Sequence, residues 1–487
     1  MTTAAARPVS RLRKEIGALQ FFTLAFGAVV GVGWAVVLGD WLRQAGPLGA
    51  MLGLLAGGFV VILIGLCYAE VTSIIPASGG EVAFAYEVFG DRACFATGWL
   101  LSFTYIVVGS FEAISIGWIV TALSPALQGP VIYTSLGSDM HAGTLALGLG
   151  GMVVLTMLNY RGAKSATRLQ DALITALLVM ATVFILAGIV RGDSANLLPY
   201  FQRSASGSIW PGVLALFMTS AFWFGGFNTV PTVMEEKSGS TSLHRVGVII
   251  VLSIVVGIVF KTSVVLSASM TMPWQRLMTM EIPAASAFRE ALGSRVLGNI
   301  VLLTALFGLL STWNAMIVCA SRILFSLGRA GFISPRFGTV HPVHGSPGTA
   351  VLFTGILGAF GTLLGRNALI PIVNASATCL TFAYLLTCLA MIRLRRTAPQ
   401  RQRPFRTPGG LVTAGVAVAG AAFSLGLSLY QPYVDAKGRV PLEWVLLMLW
   451  LALGAVFWRA AGRMRRRIDT TERRAMIMGG YAADQGA

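Results

Sequence analysis

The sequence predicts an all-α membrane protein of about twelve transmembrane helices, and three observations carry that prediction. Hydrophobic residues make up 55% of the 487 positions and charged residues 11%, with a mean hydropathy of +0.76; a soluble chain of this length carries about twice that share of charge. The apolar residues fall into long runs, and the first has no charge from Gln20 to Leu38, enough to cross a bilayer as a helix. Lysine and arginine collect in the short stretches between the runs, as membrane orientation requires.

Taken in order, the apolar runs place spans near residues 19–39, 47–75, 94–123, 143–159, 169–190, 210–233, 246–269, 297–326, 348–365, 368–393, 411–431 and 441–459. An even number returns the C-terminus to the side of the N-terminus. Residues 1–18 carry basic residues without the apolar core of a cleavable leader, and read as a cytoplasmic tail. Arg11, Arg13 and Lys14, then Arg161, Lys164 and Arg168, then the basic loop 394–410, then Arg463, Arg465, Arg466 and Arg467 in the tail 460–487 all fall on one face. The positive-inside rule makes that face the cytoplasm.

The same clusters account for the net charge of +17, so the basicity reads as topology and no nucleic-acid partner is implied. Five cysteines (Cys67, Cys94, Cys319, Cys379, Cys388) lie in or beside apolar runs with no CxxC pair, and the four histidines fall in predicted loops. Neither a disulfide framework nor a metal site is indicated. No P-loop, HExxH or GxSxG motif occurs. The chain therefore reads as neither an enzyme nor an ATP-driven pump, and no cofactor is called for.

Within the first run, Gly27-Ala28-Val29-Val30-Gly31-Val32-Gly33-Trp34 carries three glycines. Each costs a helix interior roughly 1 kcal/mol relative to alanine. Gly27 and Gly31 also suit close helix packing. The other reading is that Gly31 and Gly33 let the backbone leave helical geometry, which a membrane tolerates where main chain lines a cavity. A broken helix holding a small solute at mid-membrane is the expectation.

Further stretches carry a resemblance. In order they are Ala45-Gly46-Pro47, Tyr68-Ala69-Glu70, Pro76-x-Ser78-Gly79-Gly80, Gly98-Trp99, Asn159-Tyr160-Arg161-Gly162-Ala163-Lys164, and Phe224-Gly225-Gly226-Phe227 through Glu235-Glu236-Lys237. They continue with Asn314 through Ser321-Arg322-x-Leu324-Phe325 to His341-Pro342, and Arg403-Pro404-Phe405-Arg406-x-Pro408-Gly409. From about residue 20 to 410 the chain resembles the amino acid-polyamine-organocation transporter superfamily. The resemblance implies two inverted five-helix repeats, 19–190 and 210–393, with helices 1 and 6 unwound at mid-membrane, and two further helices over 411–459. Independently, glycine interruptions fall in helix 1 (Gly31, Gly33) and helix 6 (Gly225, Gly226), the pairing expected of a transporter binding site.

By the family pattern, Val30, Gly31, Val32 and Gly33 supply a carboxylate cradle, and Phe222 to Gly226, with Gly225, supply acceptors for an ammonium. Val32 stands where relatives often have a small hydroxyl residue. Phe222, Phe227 and Trp313 align with aromatics placed over the substrate, the alternative for each being ordinary helix packing. Asn228 stands where many relatives carry a carboxylate, which weakens a reading as a carrier of doubly cationic polyamines. Lys164 matches the family lysine whose ammonium takes the place of a sodium ion beside helix 1, implying proton coupling or ion-independent exchange; its alternative is a snorkelling cytoplasmic lysine. Glu112 in helix 3 and Lys261 in helix 7 have two readings. They form a structural ion pair, or Glu112 faces the site and recognises a cation or carries a proton.

The function expected is secondary transport of an amino acid or related organic amine into a bacterium across its plasma membrane, coupled to protons. The alternatives are an amino acid/amine antiporter and, from another class, a membrane nutrient sensor that binds without transporting. A channel is disfavoured, since no ring of like charge or pore filter is visible.

Overall fold

Glycine decides where the first apolar run stops being one helix. α1 (Ala18–Val30) ends at Gly31, whose φ of 53° and ψ of −157° leave helical geometry, and α2 (Gly33–Val36) resumes after Val32. The structure is a computed structural model that describes residues 14, 16–77, 79–280, 282–291, 293–436 and 438–478, with side chains except at 163–168, 290, 291 and 435. Ser78, most of the expected N-terminal tail, residues 479–487 of the C-terminal one and the side chain of Lys164 lie outside the described residues.

α3 (Leu38–Ile74) bends at Gly46, with φ of 70°, and Pro47 begins the straight part, where its missing N–H is no loss. A turn through Gly79 and Gly80 leads to α4 (Glu81–Phe89) and α5 (Asp91–Leu123). Between α5 and the next helix, where the sequence predicts a connection, the structure has a hairpin. β1 (Val131–Ser135) pairs antiparallel with β2 (Ser138–His141), with Ser135 opposite Ser138. Its two-residue turn has positive φ at Leu136 and Gly137, the hairpin-favouring hand. The β-branched and aromatic run Val131-Ile132-Tyr133-Thr134 suits a strand.

The remaining long elements are α6 (Ala142–Tyr160), α7 (Ala163–Arg191), α8 (Trp210–Trp223), the short α9 (Thr229–Thr232) and α10 (Leu243–Thr271). After α11 (Trp274–Leu277) and α12 (Pro283–Ser286) come α13 (Arg295–Arg329), α14 (Gly348–Thr362), α15 (Leu369–Thr397), α16 (Leu411–Asp435) and α17 (Leu442–Ala460). Ten spans among the described residues are long and apolar enough to cross a membrane, and α8 and α14 are shorter apolar helices. The all-α membrane class holds, with the hairpin as its small exception.

α13 runs through the middle, packed on α5, α7 and α1, while α3 packs on α8 and α10, and α15 closes against α5 and α8. α16 packs on α15 and α3, and α17 lies at the edge against α15. α17 is tied on by a reciprocal pair: the indole N–H of Trp99 donates to the Trp450 carbonyl and that of Trp450 to the Trp99 carbonyl, each at 2.8 Å. On the face bearing the basic loop, arginines meet carboxylates. Glu70 takes Arg395 at 2.6 Å, Glu236 takes Arg322 at 3.0 Å and Glu235 takes Arg329 at 3.1 Å.

Candidate functional site

The two interruptions meet. α8 stops at Trp223, residues 224–228 turn out of helical geometry, and α9 restarts at Thr229. Gly226 has φ of 132°, and a Cβ there would lie 2.5 Å from the Val29 nitrogen. Only glycine lets the two backbones approach this closely.

Beside this contact lies a narrow cavity of about 40 Å³, room in this conformation for a few water molecules. Ala28 to Gly31 and Gly33 form one wall, and Phe222, Trp223, Gly225, Gly226 and Asn228 another. α5 contributes Thr104, Tyr105, Val108, Phe111 and Glu112. Lys261, Thr312, Met316 and Leu380 complete the lining. The walls are mostly apolar, with polar groups gathered at the breaks.

Those polar groups divide by sign, as the ends of interrupted helices require. Where α1 ends in carbonyls, the Lys261 ammonium donates to Val29 O at 2.9 Å and to Val30 O at 3.0 Å. Where α2 is about to begin, the Glu112 carboxyl lies beside the Val32 N–H. The Thr312 hydroxyl donates to Gly27 O at 2.7 Å. Glu112 Oε2 faces no hydrogen-bond partner. Among the described residues no ion pair joins Glu112 to Lys261: each charge is turned to the backbone break between them.

On the far side of Asn228, a second polar group is buried. Asn228 accepts the Gly226 N–H at 3.1 Å and donates to the Tyr105 hydroxyl at 2.6 Å and to Glu81 Oε1 at 3.2 Å. Away from the basic face, Trp223 separates the cavity from a second one of about 360 Å³, whose walls include Asp40, Trp41, Gln44 and Gln431. The Trp223 ring packs edge-on to Trp41 at 5.0 Å between centroids and rests on Gly33, where a Cβ would overlap it.

Of the residues singled out from the sequence, Val30, Gly31, Gly33, Phe222, Gly225, Gly226, Asn228 and Glu112 come together on the cavity wall. Val32 reaches the cluster through its N–H alone. Phe227 packs instead between Tyr68 and Tyr384, at 5.1 and 5.3 Å between ring centroids. Trp313 is buried against Gly109 and Gly151. Lys164 enters in the first turn of α7, and the ammonium found at the α1 break belongs to Lys261. Tyr105, Thr312 and Met316 also line the cavity; each sits in a helix buried on nearly every face at that level, so no periodicity marks the inner one.

A family model described as amino acid permease matches residues 16–457. The chain is 26% identical over 474 residues to the branched-chain amino acid permease BcaP of Bacillus subtilis (strain 168), covering 96% of this chain and 97% of that one. It is 24% identical to the methylthioribose transporter of the same organism over 94% of this chain and 95% of that one. It is 25% identical to the human Asc-type amino acid transporter 1, over 94% of this chain and 85% of that one. Spanning nearly its whole length, the match shows that this chain belongs to the amino acid permease family.

Proposed function

We propose that this permease takes up a neutral amino acid with an apolar side chain, or a closely related organic amine, across the bacterial plasma membrane, driven by protons. The observation that carries the reading is the shared cavity at two broken helices, with an apolar wall facing their polar ends. The Val30 to Gly33 backbone receives the substrate carboxylate, and the carbonyl-rich end of α8 at Phe222 and Gly225 receives its ammonium. Phe111, Phe222, Met316 and Leu380 enclose the side chain. The name of the Bacillus branched-chain permease supports a substrate of this kind, and Asn228 in place of a carboxylate argues against a doubly charged cation.

Coupling rests on Glu112. Ionised, its carboxylate competes for the Val32 N–H that a substrate carboxylate would use, and two like charges at one donor repel. A proton taken from outside neutralises Glu112 and leaves that end of the break to the substrate, so solute and proton cross together. Lys261 stays on the Val29 and Val30 carbonyls as a fixed cation and holds the break open without a metal ion.

The repeats are α1 to α7 and α8 to α15, and transport proceeds by rocking of one bundle against the other around the site. The arginine-bearing face and both termini are cytoplasmic by the positive-inside rule. Radiolabelled leucine uptake into proteoliposomes tests the reading. Accumulation that needs an acid exterior and collapses with a protonophore is expected. Exchange only against a preloaded amine would make the protein an antiporter, and binding without accumulation a sensor.

A further inference from the structure

One titratable group outside the cavity touches its floor. Gly79 and Gly80, both at positive φ, fold the chain onto α9: the Gly79 N–H donates to Thr232 O at 3.1 Å, and a Cβ at Gly80 would lie 2.8 Å from Pro231. This turn delivers Glu81, at the first position of α4, to the underside of Asn228. Through Asn228 the carboxyl is one side chain away from the Gly226 N–H, in the interruption between α8 and α9.

Glu81 is 1% exposed. The titratable groups facing it are Tyr68 from α3, Tyr105 from α5, Cys319 from α13 and Tyr384 from α15. None is a cation, and the nearby Arg322 is engaged by Glu236. Neither Glu81 Oε2 nor the Tyr68 hydroxyl completes a hydrogen bond in this conformation. Burial pushes the Glu81 carboxyl up to about 7. A neutral acid suits this shell, whereas a carboxylate gains from any movement that lets water in.

We propose that Glu81 is the positioning residue of the inner gate: neutral, it keeps α4 and α9 together beneath the site, and ionised, it favours their parting toward the arginine-bearing face. The proton leaves the carboxyl for water on that face, and closing takes one back. This rests on the transport reading but not on Glu112, which acts on binding from the opposite break. The sign follows from the raised value: below it the floor stays shut, above it exchange quickens.

The test is counterflow of radiolabelled leucine at saturating concentration in proteoliposomes with equal pH on both sides, scanned between about pH 5.5 and 8.5. Wild-type exchange should rise at least about fivefold through neutrality. Glu81→Gln should stay at the acid-side rate throughout, with its half-saturating leucine concentration unchanged, and Glu81→Asp should keep the rise. A Glu81→Gln variant that follows the wild-type curve, a flat Glu81→Asp variant, or a flat wild type would overturn the gate. If Glu81→Gln binds no leucine, the Glu81→Asp curve decides alone. Wild-type protein that exchanges no leucine at any pH would instead remove the transport reading itself.

Discussion

Lys261 Nζ lies 2.9 Å from the Val29 carbonyl oxygen and 3.0 Å from that of Val30, so a side chain of α10 closes the carbonyl end of the interrupted first span. A buried charge in a membrane needs such partners, and carbonyls at a helix end need such donors. Each satisfies the other.

Removing the ammonium should therefore loosen the break. Lys261→Met is expected to lower leucine uptake at least about tenfold, the rate equivalent of roughly 1.4 kcal/mol, which is below the usual worth of one hydrogen bond to a charged group. Uptake into proteoliposomes reads the change, and wild-type uptake by the variant would show the contact to be incidental.

Glu112→Gln should separate binding from coupling. Glutamine keeps an acceptor for the Val32 N–H and carries no charge, so leucine counterflow should persist while accumulation driven by an acid exterior disappears. The two assays on one preparation suffice. Normal proton-driven accumulation in the variant would place the coupling proton elsewhere.

Trp223 is the partition between the site and the second cavity on the side of Gln44 and Gln431. Trp223→Ala should open it, and a cysteine introduced as Met316→Cys should then react with a membrane-impermeant maleimide at least about ten times faster than with the indole in place, since thiol reactivity depends on access. Equal labelling rates would mean another group seals that side.

The Trp99–Trp450 pair offers a control away from the site. Trp450→Ala removes a stacked, doubly hydrogen-bonded indole, and the cost should be about 3 kcal/mol of stability. Leucine affinity should not change, because α17 lines no part of the cavity. Thermal unfolding with and without leucine separates the two effects.

The breaks were legible because glycine inside an apolar run has few structural reasons to be there: Gly31 and Gly226 both take positive φ. Partners across helices were not. Lys261 stood out as a charge in a membrane span, yet nothing in its own helix says that it reaches Val29, more than 200 positions away. Phe227 and Trp313 have the right chemistry for a substrate wall but point into packing, since helix rotation is set by neighbours when every face is apolar. Glu81 hid in a turn motif, Gly79-Gly80-Glu81, whose glycines explain the turn and draw no attention to the acid they aim. The hairpin is short, with strands of five and four residues, and a run that brief between two spans does not separate from a loop by pattern alone.

The account depends most on the close approach of the two interruptions around one solute. The direct measurement is equilibrium binding of radiolabelled leucine to purified wild-type protein and to Gly226→Leu, with the unfolding transition recorded for both. Wild-type protein with leucine at about 100 times the dissociation constant should gain roughly 2.7 kcal/mol, and Gly226→Leu, whose side chain pushes the two breaks apart, should unfold at a lower temperature and bind no leucine. Undiminished binding by the folded variant would contradict the account and move the site away from the breaks.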